Sequence, residues 1–406
     1  MAGVLEGLKV VDMGHVVAVP AAGATLGDWG AEVIKVEPLT GEMARGIRRG
    51  GGASRVVQYE GGEVHWIVQV LNRNKRGVAL DLKQKAGREV LQRLVRRADV
   101  FMSNYELGTL DKLGADYASL SSGNPRLVYA VLTGYGTRGP DKDERGFDYS
   151  AAWARSGMQY IIGEPGSAPP PQRGGMMDRV AAAHMISAIL AALLYRERTG
   201  RGQQIELSLF HTGVWTLASD IQSALMGTPV PRHNRTRAAN PLWNTYCASD
   251  ERWLWLSMLQ SDLHWPDFCR AIERPELEED PRFNTMQARE ENCGELVRIL
   301  DGVFAARTGA EWEERLKQHH CIYSRVQTPM EVTSDPQALA NDFFPEIDHP
   351  IGGRARLVAT PANFGEVPAS MHLPAPETGQ HTEEVLLEIG YGWEDIAALK
   401  EQRVIL

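Results

Sequence analysis

The chain has 406 residues, 43% hydrophobic and 23% charged, the proportions of an ordinary globular protein too long for a single hydrophobic core. A net charge of −9 argues against the basic face that nucleic-acid binding needs. The four cysteines, Cys247, Cys269, Cys293 and Cys321, form no C-x-x-C pair, which disfavours a disulfide framework or a zinc site and reads as free thiols in a reducing cytoplasm.

The residues from Met1 to Lys9 show no basic region followed by an apolar run, so no signal peptide is expected. Leu8–Met13 reads as a strand, Pro20–Trp29 as a small-residue helix and Ala31–Val36 as a second strand. Gly50-Gly51-Gly52 reads as a mobile loop, either an ordinary surface loop or a lid. A third strand is predicted over Val78–Leu82, a helix over Gly87–Ala98 with Val90, Leu91, Leu94 and Val95 on one face, and further strands over Val100–Met102 and Leu127–Leu132. Strands separated by helices imply a doubly wound parallel sheet, whose ligands sit beyond the carboxyl ends of the strands, near Gly14, Glu37, Asn104 and Thr133.

Val180–Tyr195 is uncharged but shorter than the roughly 20 residues of a membrane span, and it contains His184 and Ser187. It reads as a buried core helix, with no membrane partner. Asp178 opens it, after Gly174 and Gly175. A carboxylate there has two readings: it caps its helix, or it faces a cleft as a nucleophile toward an acyl group. A strand over Gln203–Phe210, a connection, a hairpin over Tyr246–Leu256 turning at Asp250-Glu251 and a helical region from Asp262 to about Gln318 follow. From Pro329 the chain is rich in Pro and Gly, with short strands and two final helices, Thr382–Ile389 and Trp393–Glu401. The expected organisation is a large α/β domain over 1–215, a linker over 216–240, a small α+β domain over 241–328 and a return segment over 329–406 that completes the large domain.

Several motifs are missing. Gly14-His15-Val16-Val17-Ala18-Val19 is not G-x-G-x-x-G, and there is no phosphate loop, nucleophile elbow or H-E-x-x-H. The adjacent side chains of His319-His320-Cys321 do not converge on one ion, so no metal site and no prosthetic group are expected.

The ordered pieces Leu5–Asp12, Asp28–Glu37, Asn72–Arg76, Leu80–Lys83, Ala98–Val100, Asn124–Leu127, Asp178 with Thr199-Gly200-Arg201-Gly202-Gln203, Ala375-Pro376 and Gly379–Leu386 resemble the class III CoA-transferases, the CaiB/BaiF family that includes formyl-CoA and carnitine CoA-transferases. The resemblance runs nearly end to end. It implies that Asp178 is the nucleophile and that acyl-CoA and a free carboxylic acid are the substrates. Asp178 would attack the thioester to give a mixed anhydride and then an aspartyl-CoA thioester; with the ordinary aspartate pKa of about 3.9 it is ionised at pH 7 and needs no base. Backbone N–H groups at Gly174 and Gly175 either stabilise the oxyanion or merely serve a tight turn.

The resemblance also places coenzyme A contacts at His15, Val17 and Ala18, at Leu80, Asp81, Leu82 and Lys83, at Asn104 and Tyr105 (stacked on adenine), at Lys112 and around Arg145. Taken singly, Lys83, Lys112 and Arg145 are ordinary surface charges. The family's arginine after the second strand is Pro38 here, which leaves Arg45 as a candidate for the nucleotide end. A glutamine and a four-glycine loop of the oxalate enzymes are replaced by Val17 and Asn240–Tyr246, which disfavours oxalate; Val17, Trp153 and Trp243 point to a larger, less polar acid. The related α-methylacyl-CoA racemases use a histidine that is Phe147 here, which disfavours proton transfer. A non-catalytic acyl-CoA-binding protein would not need Asp178. The family also implies a homodimer of two interlocked rings, burying well above roughly 2,000 Å², with Asp178 close to the subunit boundary.

Overall fold

The computed structural model describes residues 3–406, and the chain divides into two compact units. The first comprises Met1–Gln159, Pro171–Thr228 and Leu339–Leu406; the second comprises Tyr160–Pro170 and Pro229–Ala338. The small unit therefore takes in residues 160–170, from within the span that the sequence assigns to the large domain, and runs on to 338 rather than 328.

The large unit is built on six parallel strands: β1 (Lys9–Met13), β2 (Glu32–Glu37), β3 (Lys75–Ala79), β4 (Val100–Ser103), β5 (Val128–Thr133) and β6 (Gln203–Ser208). Their spatial order is β6-β5-β4-β1-β2-β3. The period of two sends successive side chains to opposite faces, and both faces are apolar. In β5, Val128, Ala130 and Leu132 enter one core, while Tyr129 and Val131 enter the other. The first core is closed by helices α1 (Ala18–Asp28) and α4 (Met176–Thr199), the second by α2 (Lys85–Arg96) and the C-terminal helices Thr382–Glu388 and Trp393–Glu401. Helix α3 (Leu107–Leu113) follows β4, and α5 (Leu209–Thr216) follows β6.

By length and composition alone α4, with 24 residues, is long and apolar enough to cross a membrane, longer than its uncharged stretch indicates. In the fold its Ala181, Ala182, Met185, Ile186, Ile189 and Ala192 are buried in the first core. The edge strand β3 is covered by the return segment. Gly77 receives the N–H of His381 at 2.9 Å and donates its own to His381 Nδ1 at 3.1 Å, and Ala79 donates to Thr382 Oγ1 at 3.1 Å. That pairing removes the exposed edge.

The predicted third strand lies three residues too late. Leu80 and Leu82 are core residues beyond the strand's end, whereas the strand begins at the charged Lys75. Lys75 is fully buried because Asp12 Oδ2 accepts from its Nζ at 2.6 Å, alongside Pro20 O at 2.8 Å, Leu71 O at 2.9 Å and Asn72 Oδ1 at 3.0 Å. Lys35, the register partner of Asp12 in β2, places its ammonium 3.5 Å from Asp12 Oδ1 and donates to Gly14 O. Gly23 of α1 lets the group pack under the helix: a Cβ there would lie 2.7 Å from Asp12 Oδ2 and 3.0 Å from Lys75 Nζ. Burial alone raises the Asp12 carboxyl, but the two ammonium groups outweigh it and hold the group below the usual range, while burial pulls Lys75 down to about 8.

Two further expectations change. Gly51 and Gly52 form the two-residue turn between paired Arg49–Gly50 and Ala53–Ser54, both with positive φ (58° and 85°), so the glycine run is a tight hairpin turn rather than a structureless loop. The connection 216–240 contains a helix, Ala218–Leu225, with no buried residue, which is why it left no apolar pattern.

The small unit carries an antiparallel sheet, β7 (Thr245–Cys247), β8 (Trp253–Leu256) and β9 (Tyr323–Arg325), in that order. Helices between 261 and 318 cover its core of Tyr246, Trp265, Phe268, Phe304 and Trp312.

Replacing Asp12 by Asn strands two buried ammonium groups. We expect a loss of about 3–5 kcal/mol in unfolding free energy, the cost of breaking a buried ion pair from one side, measured by denaturant titration. A loss below about 1 kcal/mol would contradict the role given to this triad.

Candidate active site

The strand order turns outward in both directions from the neighbouring strands β1 and β4, so the loops after them diverge and leave a crevice, the usual ligand position in a doubly wound sheet. The two loops are tied by one side chain. Asn104 Oδ1 accepts the His15 N–H at 2.9 Å, and Asn104 Nδ2 donates to His15 O at 3.0 Å. Next to this clamp Val16 holds φ at 64°, a strained position for a β-branched residue, with its N–H donated to Glu42 Oε2 at 3.1 Å.

Above the loops lies a cleft of about 560 Å³ whose walls include His15, Val17, Asn104, Tyr105, Lys112, Arg145 and Asp178. Seven of the residues singled out from the sequence thus share one wall system. Ala18 is buried at the start of α1 and does not line the cleft, and neither do Leu80, Asp81, Leu82 and Lys83. Leu80 and Leu82 belong to the second core, Asp81 accepts the Lys83 N–H at 3.1 Å, and Lys83 is exposed.

Within the cleft, the Tyr105 ring lies 5.1 Å from that of His15, tilted by 55°. Burial pushes the Tyr105 hydroxyl up to about 12 and pulls the His15 imidazole below its ordinary value. Arg145 pairs with Glu106 at 2.9 Å, an exposed bridge worth little in stability. Lys142 also lines the cleft; its setting in Asp141-Lys142-Asp143-Glu144-Arg145 reads as a mixed surface loop and hides it from sequence reasoning.

Arg45 is not free for a ligand phosphate: it grips Glu37 through two bonds of 2.8 Å and donates to Pro376 O at 2.8 Å. Trp153 is buried in the first core and does not line the cleft, so it is no part of an acid pocket there. The apolar lining comes instead from Met43, Val17, Leu132, Leu209 and Phe147, the last 54% exposed.

Asp178 stands in the first turn of α4, after Gly175 in the left-handed region with φ at 83°. The helix is capped by another carboxylate. Asp148, at the start of a short π-helix (Asp148–Ala154), accepts the Gly175 N–H at 2.6 Å and the Met177 N–H at 3.2 Å. Two expectations change as a result. Asp178 is not its helix's cap, and the Gly175 N–H is engaged and not available to an oxyanion. The capping role of Asp148 has no local signature, because the groups it serves lie almost thirty residues along the chain.

Asp178 is only 8% exposed, and no hydrogen bond to its carboxylate is found among the described residues. Burial pushes its carboxyl up to about 7, the charge of Asp148 adds to the rise, and Arg179 opposes it. It is therefore only about half ionised at pH 7, not fully as the ordinary value implies. Desolvation makes the anion a stronger nucleophile, since no water or N–H must be stripped from it before attack.

A profile of CoA-transferase family III matches residues 5–382. An (R)-2-hydroxy-4-methylpentanoate CoA-transferase from Clostridioides difficile is 35% identical over 401 residues, covering 99% of each chain. A cinnamoyl-CoA:phenyllactate CoA-transferase from Clostridium sporogenes is 31% identical, covering 99% of this chain and 97% of its own. The crystal structure of a CAIB/BAIF family protein from Brucella suis superposes with a TM-score of 0.84 at 29% identity, over 96% of this chain and 100% of its own.

The raised carboxyl has a consequence for stability. Asp178 binds its proton more tightly in the fold than in the unfolded chain, so both states are protonated below about pH 3 and the penalty for ionising it in place grows from there up to about pH 7. Asp178→Asn is expected to leave the melting temperature unchanged near pH 3 and to raise it by several degrees at pH 8. The gain is at most about 4 kcal/mol, at about 1.4 kcal/mol per unit. Equal melting curves at both pH values would contradict the buried setting described for this group.

Proposed function

The chain belongs to CoA-transferase family III, and on that premise we propose that it passes coenzyme A from an acyl-CoA thioester to a free carboxylic acid by a covalent relay on Asp178. The observation that carries this reading is a desolvated carboxylate, without a hydrogen bond among the described residues, on the wall of the cleft at the strand switch point.

In the first step an oxygen of ionised Asp178 attacks the thioester carbonyl, the C–S bond breaks, and coenzyme A leaves as thiolate, giving a mixed anhydride. The thiolate attacks the Asp178 carbonyl carbon, and the donor acid departs as a carboxylate carrying one oxygen of Asp178. The acceptor carboxylate then attacks the aspartyl-CoA thioester and releases the thiolate. The thiolate attacks the acceptor's carbonyl carbon, forming the new acyl-CoA and returning Asp178 with one oxygen from the acceptor. Each step exchanges one anion for another, so no proton moves and no general base is required once Asp178 is ionised. The relay divides one difficult exchange into easier ones. Anhydrides hydrolyse readily, which the buried position of Asp178 helps prevent.

Lys112, Lys142 and Arg145 supply the positive charge that the phosphates of coenzyme A need. The acceptor in this reading is a 2-hydroxy acid with a bulky apolar side chain. Support comes from the apolar Val17 and Phe147, which line the same cleft as Asp178, and from the relatives named for 2-hydroxy-4-methylpentanoate and phenyllactate. Phe147 cannot transfer a proton, which favours transfer over racemisation.

The protein is also read as an interlocked homodimer. Leu194, Trp215, Leu225 and Met226, from α4, α5 and the helix 218–225 and its end, are exposed large apolar side chains of the kind an obligate interface covers.

Asp178→Ala is expected to abolish coenzyme A exchange, and hydroxylamine added with acyl-CoA is expected to convert Asp178 of the native enzyme to a hydroxamate, detected by peptide mass spectrometry. In the native enzyme kcat/KM is expected to rise about tenfold per pH unit below about 7 and to level above it, because the ionised form attacks. An active alanine variant or a flat profile from pH 5 to 8 would overturn the assignment. Two differently tagged native dimers, mixed for days, are expected not to exchange subunits; exchange, or a monomer in sedimentation at nanomolar concentration, would overturn the interlocked reading.

A further inference from the structure

We infer that Asp148 is a positioning residue for Asp178: from a separate segment it caps the helix that carries the nucleophile and holds a second negative charge beside it. This rests on the reading of Asp178 as nucleophile given above.

The geometry makes the case in three parts. The first turn of an α-helix leaves its N–H groups without partners, and here their partner is not a local side chain. Asp148 takes the N–H groups of Gly175 and Met177, the residues on either side of the helix's first position. Asp148 is 5% exposed as a residue, so these bonds are shielded from competing water. The chain direction at the left-handed Gly175, and with it the place where Asp178 enters the cleft, is thereby fixed by a residue of the π-helix.

The second part concerns what Asp148 spares. Had Asp178 capped its own helix, the N–H groups would have bound its oxygens, stabilised the anion and blunted its attack. With Asp148 in that role, the Asp178 carboxylate has no hydrogen bond among the described residues, and Asp178 lines the cleft.

The third part is charge. The groups acting on Asp178 are Asp148, which disfavours its ionisation, and Arg179, which favours it. The other elements packed on α4 bring little: α1 contributes Asp28, bound to Arg73 at 2.6 Å, α5 contributes His211, and β6 contributes Glu206, bonded to Thr137 at 2.6 Å. Asp148 itself is held above the usual carboxylate range by burial, opposed by the N–H groups it accepts from.

The test compares Asp148→Asn with Asp148→Ala. Asparagine can still cap a helix but carries no charge; alanine can do neither. Asp148→Asn is expected to melt near the native temperature while the inflection of its pH–kcat/KM profile moves about one unit toward acid, the size of effect a like charge at close range exerts. Asp148→Ala is expected to show the same acid shift and to melt several degrees lower. If the asparagine variant does not fold, Asp148→Ser, another capping side chain, carries the same comparison. An inflection that stays in place in the folded asparagine or serine variant overturns the inference, as does an alanine variant that melts with the native protein. If Asp178→Ala retains activity, the nucleophile assignment has failed instead, and the two failures are told apart.

Discussion

The feature on which the remainder of this molecule depends is the divergence of the chain at β1 and β4. Two parallel strands side by side send their following loops in opposite directions, and backbone at the top of the sheet is left open to a ligand. An open crevice needs rigid walls. Beneath it the walls rest on three buried charges, Asp12, Lys35 and Lys75, arranged so that each ammonium meets a carboxylate or carbonyl oxygen. At its floor the two loops are joined by the amide of Asn104, which both donates to and accepts from His15. The strain at Val16 is held between these two devices.

The chemistry follows from what the scaffold withholds. A carboxylate in water, or at the tip of its own helix, is well solvated and a weak nucleophile. Asp178 is denied both forms of solvation: it is buried, and the N–H groups of Gly175 and Met177 at the start of its helix are given to Asp148. The cost appears as a carboxyl that holds its proton up to about pH 7. In the proposed relay such a group is ionised often enough to act and basic enough to attack a thioester.

Much of this was legible in the sequence. The strands β1, β2, β4 and β5 announce themselves as short runs of apolar, mostly β-branched or aromatic residues, and Val90, Leu91, Leu94 and Val95 mark the buried face of α2. What escaped has physical reasons. Strand β3 starts at the charged Lys75 and Arg76, whose place only tertiary partners explain: Asp12 for Lys75, and Glu32, Glu384 and Glu388 for Arg76. The helix 218–225 buries nothing, so it has no periodic apolar signal. Asp178 is visible as a carboxylate before an apolar helix, but its raised pKa depends first on burial and then on the charge of Asp148, and its release from capping depends on Asp148, which no local spacing connects to it. Trp153 suggests an acid pocket by its apolar type, and Arg45 a phosphate contact by the family arginine's replacement with Pro38; in the fold one is core and the other is paired.

The central claim is that Asp178 exchanges its own oxygens with the substrates, and isotope transfer tests it most directly. Enzyme, acyl-CoA and an acceptor acid labelled with 18O on both carboxylate oxygens are allowed roughly one turnover, and the peptides are then weighed. The relay predicts one heavy oxygen, a gain of about 2 Da, on the Asp178 side chain and nowhere else, because the returning aspartate keeps an oxygen of the acceptor. New acyl-CoA formed while the Asp178 peptide stays unlabelled would contradict it.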